Sequence, residues 1–429
     1  MPRKKAGTKK ATGKKGGKKK AAAPTPVENE LTKTHAALNK VFKKQKSESP
    51  VVAINTDDLD SPRAHIPSGS IVLDYLIGGI PNRKGIPPCP GWPRGALSQI
   101  YGHESSGKTT VALMAAASVC QRGGNVMFID WENAVDFAYA EALGVPIQEQ
   151  DKFLLLQPNT MEDGFKAIYV AAMHGVTLII LDSIGACVPE ATFNQSVDEQ
   201  GELGRVGLLA AKWSKFLPKL SAIVNKTGTH VMGLSQLRER IGGFGGFGAE
   251  STTQQGGRAW KFYSSIRMKF TRIAGEKGKV HDAIQHKVVE KMLASKIKAK
   301  VDKSKVSQSQ QHENYFWITF GEGIDDIRSC IEIATNYGAI QKGGAWFTWE
   351  RANGDTIKQQ GLSSFRTALD QAEGAHDELR TLASRLITQT PEDYVVSEED
   401  GLDLDLDELI GMSTADLGDT LDSLVGDEG

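Results

Sequence analysis

The chain has 429 residues, is 40% hydrophobic and 24% charged, and carries 51 Lys/Arg against 52 Asp/Glu for a formal net charge of -1. That length allows two to four domains with buried cores. The longest uncharged apolar run, about Val111–Cys120, falls far short of the roughly 20 residues of a membrane helix, so no membrane partner is expected. Met1-Pro2-Arg3-Lys4-Lys5 has no apolar stretch behind it and does not read as a secretory signal. Cys89, Cys120, Cys187 and Cys330 lack C-x-x-C spacing, which excludes a zinc ribbon and a dithiol redox motif and fits four reduced thiols.

The near-zero total hides opposite ends. Residues 1–23 hold ten Lys/Arg and no acid, whereas residues 391–429 hold fourteen Asp/Glu and no base. Residues 1–28 contain almost nothing large and apolar, so burial cannot offset ordering entropy and disorder is expected. Leu31, Ala36, Leu38, Val41 and Phe42 recur at three- and four-residue spacing and predict a helix over Glu30–Lys46, followed by a polar linker to Ser61-Pro62. Ser68-Gly69-Ser70 opens a short helix, Ile71–Ile77, that stops at Gly78-Gly79. Pro81–Pro93, rich in Pro and Gly, reads as a surface loop.

Strand and helix patterns then alternate. Strands are expected at Ala96–Tyr101, Val126–Asp130, Phe153–Gln157, Leu178–Asp182 and Thr229–Ser235, with helices at Lys108–Gln121, Ala134–Leu143, Met161–His174 and Val206–Asn225. Strands that are apolar throughout, alternating with helices, predict a mostly parallel α/β sheet covered on both faces. Phe262–Ile273 and Tyr315–Phe320 read as antiparallel additions at one edge. After Gly321-Glu322-Gly323 comes a small α+β unit with a helix Asp326–Tyr337, a strand Ala345–Glu350 and helical Ser363–Leu386. Pro391–Gly429 alternates acids with leucines and reads as a mostly disordered acidic tail with a short amphipathic motif.

The strongest chemical signal is Gly102-His103-Glu104-Ser105-Ser106-Gly107-Lys108-Thr109-Thr110, which fits G-x-x-x-x-G-K-[ST] between a strand and a helix. Such a loop closes backbone N–H groups around phosphate oxygens, and the following helix adds its dipole. Lys108 would reach the β/γ-phosphates and the Thr109 hydroxyl would ligate Mg²⁺. Asp182 ends the run Leu178-Ile179-Ile180-Leu181 at the carboxyl edge where open α/β sheets bind ligands, and would hold the Mg²⁺ through water or else cap the turn at Ser183. Glu132, just past Phe128-Ile129-Asp130-Trp131, is placed to activate water against the γ-phosphate; by position alone Asp130 competes with it.

Gly102–Thr110, Phe128–Asp136, Gly256-Gly257-Arg258-Ala259-Trp260-Lys261-Phe262-Tyr263, Gly321-Glu322-Gly323-Ile324 and Gly343-Gly344-Ala345-Trp346 together resemble the bacterial RecA recombinase family, in order, from about Ile66 to Leu386. The charged tails and the Pro81–Pro90 insertion depart from the bacterial pattern and resemble a phage-type relative. The resemblance implies a RecA-type P-loop ATPase core with a mostly parallel sheet, an N-terminal oligomerisation helix and a small C-terminal α+β domain. The chain then divides into a basic tail (1–28), a helix and linker for subunit docking (29–61), the core with its DNA-binding loops (62–323), the C-terminal domain (324–390) and the acidic tail (391–429).

By the same resemblance, Glu132 is the catalytic glutamate and Gln236 the γ-phosphate sensor that signals to the DNA loops. Tyr139 stacks on adenine, Asp136 is a neighbouring nucleotide contact, and Lys303 and Lys305 reach ATP across a subunit interface, with Lys298 and Lys300 as competing positions. The Gly-rich stretch Arg238–Gly248 cannot be a stable helix or strand, and its Arg238, Arg240, Ile241, Phe244 and Phe247 offer cations for phosphates and apolar or flat side chains for bases. It matches the family's second DNA loop, with Gly256, Gly257 and Arg258 following. The first DNA loop is expected in Glu190–Arg205, acidic apart from Arg205, and Lys212 sits near a basic family position.

The implied function is an ATP- and Mg²⁺-dependent recombination and repair protein. It would form a homo-oligomeric helical filament on single-stranded DNA and pair that strand with duplex DNA. A loader or single-strand-binding protein is a further candidate partner. The expected location is cytoplasmic and nucleoid-associated, or the host bacterial cytoplasm if phage-encoded. A ring-shaped helicase and a non-hydrolysing adaptor are the alternatives; intact Lys108, Glu132 and Gln236 weigh against the adaptor.

Overall fold

The computed structural model describes Lys40 and residues 61–82, 85–194, 202–239, 252–254, 258–282 and 287–388. The chain forms two compact units, Met1–Asp60 and Ser61–Gly429. In the first, only Lys40 is described; it is helical and exposed, and the rest of the expected helix 30–46 lies outside the described residues, as do both charged tails.

In the second unit, β1 (His65–Ile66) pairs with β2 (Trp92–Pro93). Ser70 caps the turn of helix Ile71–Asp74, and a wider turn continues through Tyr75–Gly79. The central strands are β3 (Leu97–Gly102), β4 (Val126–Asp130), β5 (Phe153–Leu156), β6 (Leu178–Asp182) and β7 (His230–Glu239). β8 (Thr252–Gln254) pairs with β7, and β9 (Ile266–Asp282), β10 (Lys287–Ser304), β11 (Glu313–Thr319) and β12 (Gly323–Ile324) complete the sheet. Its order is β12-β11-β10-β9-β3-β7-β6-β4-β5. The run from β9 to β5 is parallel, and β10 to β12 add antiparallel.

Period-two alternation divides the strand side chains between two cores. Ile100, Phe128, Ile180 and Met232 face one core, with helix Lys108–Gln121. Leu97, Ile129, Ile179, Leu181 and Val231 face the other, with helices Met161–Met173, Glu202–Thr227 and Ala259–Tyr263. Both faces are therefore dry, which is why these strands read as unbroken apolar runs.

The first core continues into the C-terminal segment. Helix Asp326–Asn336, the three-stranded sheet of β13 (Ile340–Gly343), β14 (Trp346–Glu350) and β15 (Thr356–Gln360), and helices Leu362–Gln371 and Ala375–Thr388 bury Cys330, Trp349, Phe365 and Leu379 in it. A polar tie crosses the same junction: Ile71 N donates to Asp326 Oδ1 at 2.7 Å. On either side of it, Arg380 pairs with Asp326 at 3.2 Å and Ser68 N donates to Asp74 Oδ1 at 2.8 Å.

Several expectations need correcting. β9 joins β3 in parallel register, Ser98 opposite Ile266, so it is a member of the parallel run and antiparallel only to β10. Phe262 belongs to the helix Ala259–Tyr263 that precedes it. β10 was not expected, nor were β13 and β15. β7 continues past Ser235 to Glu239 because β8 gives it a partner, Arg238 opposite Thr253, so Arg238 is strand where irregular loop was expected. The helix expected from Ala134 begins at Phe137, with Asp136 as its cap. The long helix expected over Ser363–Leu386 is two, separated where Gly374 takes a φ of +69°. The end of the Pro81–Pro93 loop is not surface: Cys89 and Trp92 are fully buried.

Candidate nucleotide-binding site and DNA-facing segments

Because β3, β4, β6 and β7 run parallel, their carboxyl ends share one edge. Gly102 stands opposite Gln236, and Asp130 opposite Asp182. The residues of the phosphate motif form the turn from β3 into helix Lys108–Gln121. Gly102 admits no side chain, since a Cβ there would lie 2.3 Å from the Phe270 carbonyl oxygen; a Cβ on Gly107 would lie 2.3 Å from Ile318 Cδ1, so that side chain would have to move. Gly107 also takes a left-handed φ of +83°, and Ser105 one of +57°. His103, Glu104 and Ser105 are exposed, while Ser106 is buried and donates to His103 O at 2.8 Å.

Lys108 is buried, and its Nζ donates to His103 O at 2.7 Å and Gly102 O at 3.2 Å. Burial holds its pKa below the usual lysine value, against the opposing pull of Asp182, Glu132 and Glu104. A phosphate group would replace weak carbonyl partners with strong ones. Thr109 Oγ1 donates to Asp182 Oδ2 at 2.8 Å. Burial, aided by the charges of Glu132 and Asp130, pushes Asp182 up to about 6. Thr110 Oγ1 lies 3.0 Å from the Tyr139 hydroxyl, which holds the tyrosine beside the motif. Asp136 accepts from Tyr139 N at 3.0 Å and so caps that tyrosine's helix.

The two carboxylates after β4 have separate surroundings. Asp130 is buried and accepts from the N–H groups of Glu132, Ala134 and Val135 at 3.1, 3.0 and 3.3 Å, and from Gln157 Nε2 at 3.1 Å. It is fully engaged in folding the turn. Glu132 is exposed, and its side-chain contact is Gln236, whose Nε2 donates to both carboxylate oxygens at 3.3 Å. Of the two, Asp130 is the carboxylate engaged by the turn and Glu132 the exposed one.

A residue-profile comparison joins these observations. The family profile described as RecA N-terminal domain matches residues 32–325. The chain belongs to the RecA family. Protein RecA of Lactobacillus delbrueckii subsp. bulgaricus is 36% identical over 328 residues, covering 76% of this chain and 88% of that protein. Protein RecA of Bacillus subtilis is 36% identical over 326 residues, covering 75% and 84%. Protein RecA of Borrelia duttonii is 36% identical over 329 residues, covering 76% and 81%. As a RecA-family protein the chain is a DNA-dependent ATPase of recombination and repair, and it acts as a filament on single-stranded DNA that catalyses homologous pairing and strand exchange.

The remaining candidates divide by location. Lys303 Nζ donates to the carbonyls of Lys261 and Phe262 at 2.6 and 2.9 Å, and Lys305 Nζ to Phe262 O at 3.2 Å. Burial, with Lys305 and Arg267 adding repulsion, pushes Lys303 down to about 8. The competitor Lys298 is paired with Glu313 at 3.3 Å. Lys303 and Lys305 thus lie against helix Ala259–Tyr263. Lys212 is ion-paired with Glu162. Arg258 is exposed at the N-cap of helix Ala259–Tyr263. Arg205 lies in helix Glu202–Thr227 and Arg238 in β7, with side chains outside the described set; Arg240, Ile241, Phe244, Phe247, Gly256 and Gly257 lie outside the described residues altogether.

One polar thread escaped the sequence. Arg267 Nε donates to Gln99 Oε1 at 2.8 Å, and Gln99 Nε2 to Ser235 Oγ at 2.9 Å, all buried and adjoining Gln236. Its residues come from β9, β3 and β7, and no local pattern marks them. Among the described residues no helix is long and apolar enough to cross a membrane.

Proposed function

We propose that the edge built by Gly102–Thr110, Glu132, Asp182 and Gln236 is the ATP site of this recombinase. The observation that carries the reading is the Glu132–Gln236 pair beside the loop that holds Lys108. Lys108 supplies a point charge to the β/γ-phosphates. Glu132 orients the attacking water and accepts its proton, and Gln236 holds the carboxylate in position. Tyr139, fixed by Thr110, offers its ring to the base, with Asp136 beside it.

Thr109 and Asp182 fit a Mg²⁺ ion: both donors are oxygens, 2.8 Å apart, and nucleotide phosphates supply the rest of the shell. Among the described residues no group of three His, Cys, Asp or Glu side chains could hold a metal alone, which matches an ion carried by phosphates. That ion supplies positive charge against the phosphate oxygens.

Lys303 and Lys305 complete the site of a neighbouring copy in the filament, and residues 29–61 dock on that neighbour. The segments 195–201 and 240–257, with Arg205, Arg238, Arg240, Ile241, Phe244, Phe247, Gly256, Gly257 and Arg258, line the DNA path; Lys212, tied to Glu162, supports it from behind. The cytoplasm, on the nucleoid, is the place of action, and a loader or single-strand-binding protein is the partner for the acidic tail.

The test is Lys108→Ala. Without the point charge, the variant should lose ATP binding, DNA-stimulated hydrolysis and strand exchange. Strand exchange at the wild-type rate would overturn the assignment. Deleting residues 1–60 should leave a folded chain that forms no filaments in negative-stain images with DNA and a slowly hydrolysed ATP analogue.

A further inference from the structure

Behind Glu132, three indoles from separate parts of the chain meet in the second core. Trp131 packs edge-on against Trp213, centroids 6.2 Å apart at 85°. Trp213 packs edge-on against Trp260 at 5.2 Å and 69°. Phe165 lies 4.7 Å from Trp213 and stacks on Phe216 at 4.0 Å. Two glycines make room for the outer indoles. A Cβ on Gly164 would lie 2.2 Å from Trp131 Cζ2, and one on Gly233 2.8 Å from the Trp260 ring.

The contacts close into a ring. Trp131 precedes Glu132 in the chain. Trp213 sits on helix Glu202–Thr227, and Trp260 on helix Ala259–Tyr263. Trp260 rests on Gly233 of β7, three residues before Gln236, and Gln236 returns to Glu132 at 3.3 Å. Three of these elements also adjoin segments proposed above to line the DNA path. Helix Glu202–Thr227 follows residues 195–201, β7 runs into residues 240–251, and helix Ala259–Tyr263 follows residues 255–258.

Hydrogen bonding fixes only the middle indole: Trp213 Nε1 donates to Ile184 O at 3.1 Å, while the buried Trp131 and Trp260 Nε1 atoms have no hydrogen-bond partner. The outer indoles are held by packing alone, so a displacement of either helix moves them, and close-packed interiors pass such strain on.

We propose that this ring couples DNA engagement to the position of Glu132, with Trp213 as its positioning residue, alongside the direct Gln236 contact. A network of contacts becomes a coupling route only when perturbing it changes coupling. The inference rests on Glu132 activating the water, and the test keeps the two ideas apart.

The test compares wild type, Trp213→Leu, Trp213→Phe and Glu132→Gln for ATPase with and without single-stranded DNA, KM for ATP, DNA affinity and melting temperature. Trp213→Leu should lower the DNA-stimulated kcat by about tenfold, the usual scale of a coupling between sites. Its DNA-independent kcat, KM and DNA affinity should stay near wild type. Trp213→Phe, which keeps an aromatic contact, should recover most of the stimulation. A core residue with no such role would lower the melting temperature and leave the ratio of stimulated to unstimulated rates unchanged, and that result overturns the ring. Should Trp213→Leu fail to fold, Trp131→Phe and Trp260→Phe are read by the same ratio, and an unchanged ratio in both refutes it. If Glu132→Gln hydrolyses ATP at the wild-type rate, the site reading fails and the ring with it; an inert Glu132→Gln beside unchanged Trp213 ratios sinks the ring alone.

Discussion

The side-chain amide of Gln236 lies 3.3 Å from both carboxylate oxygens of Glu132, joining β7 to the turn that follows β4. The contact holds an exposed carboxylate in one orientation. Glu132→Gln should therefore keep ATP and DNA binding and lose hydrolysis by about two to four orders of magnitude, the range of a general base. Filaments of that variant should be over-stable. ATPase turnover beside nucleotide-binding isotherms checks it.

Gly107 is limited twice, by its left-handed φ of +83° and by Ile318 Cδ1 at 2.3 Å from any Cβ. Gly107→Ala should cost about 1–2 kcal/mol for the backbone conformation alone, with the clash added. Ile318→Val shortens the opposing side chain and should recover part of the stability. Thermal melts of the single and double variants measure this, together with ATP affinity, which the distorted loop should lose.

The junction between helix Ile71–Asp74 and the C-terminal helices predicts a pH dependence. Burial pushes Asp74 up to about 7, with Asp326 adding to the rise and the Ser68 hydrogen bonds and Arg380 opposing it. A carboxyl group whose folded pKa lies above its unfolded value of 3.8 binds its proton more tightly when folded. Its contribution to stability is complete below pH 3.8 and is lost as pH rises towards 7. Asp74→Asn keeps the acceptor for Ser68 N without the charge, so it should be more stable than wild type at pH 8, and the difference should shrink by pH 5. Denaturant titrations at the two pH values decide it.

The opposite tails should act oppositely on DNA. Residues 391–429, with fourteen acids and no base, should compete with phosphate for basic surface, most strongly at low salt where the Debye length is long. Removing them should tighten duplex binding and lower the Mg²⁺ needed for strand exchange. Residues 1–23, with ten bases and no acid, should add attraction through counterion release, and removing them should weaken binding and flatten its salt dependence. Binding curves from low to moderate salt that overlay the full-length chain would end the competition idea.

Legibility followed locality. The phosphate turn, helix Lys108–Gln121 and strands Val126–Asp130 and Leu178–Asp182 carry their cause in contiguous residues: a glycine frame, or an apolar run buried on both faces. β10 was hidden because Lys296, Lys298 and Lys300 alternate with Ile297 and Ala299, which suits a half-buried strand but lowers the apolar density. The parallel seat of β9 beside β3 is a long-range pairing that no window of sequence contains. In the candidate site, Asp182 and Glu132 drew notice because each lies at or just past a strand end, and Lys108 and Thr109 because a glycine frame precedes them at the start of a helix. The engagement of Asp130 by three backbone N–H groups was not, since it depends on how the turn folds back.

Gly164 and Gly233 are empty only because indoles fill the space a side chain would take. The two glycines are therefore not free to grow while the indoles stay. A relative with a small residue at the place of Trp131 can carry a larger one at the place of Gly164, and the same exchange links Trp260 with Gly233. A lineage changing the helix first would pass through an intermediate with no room for its side chain, so the indole must shrink before the glycine grows. Gly164→Ala should be tolerated in a Trp131→Leu background and rejected in the native one.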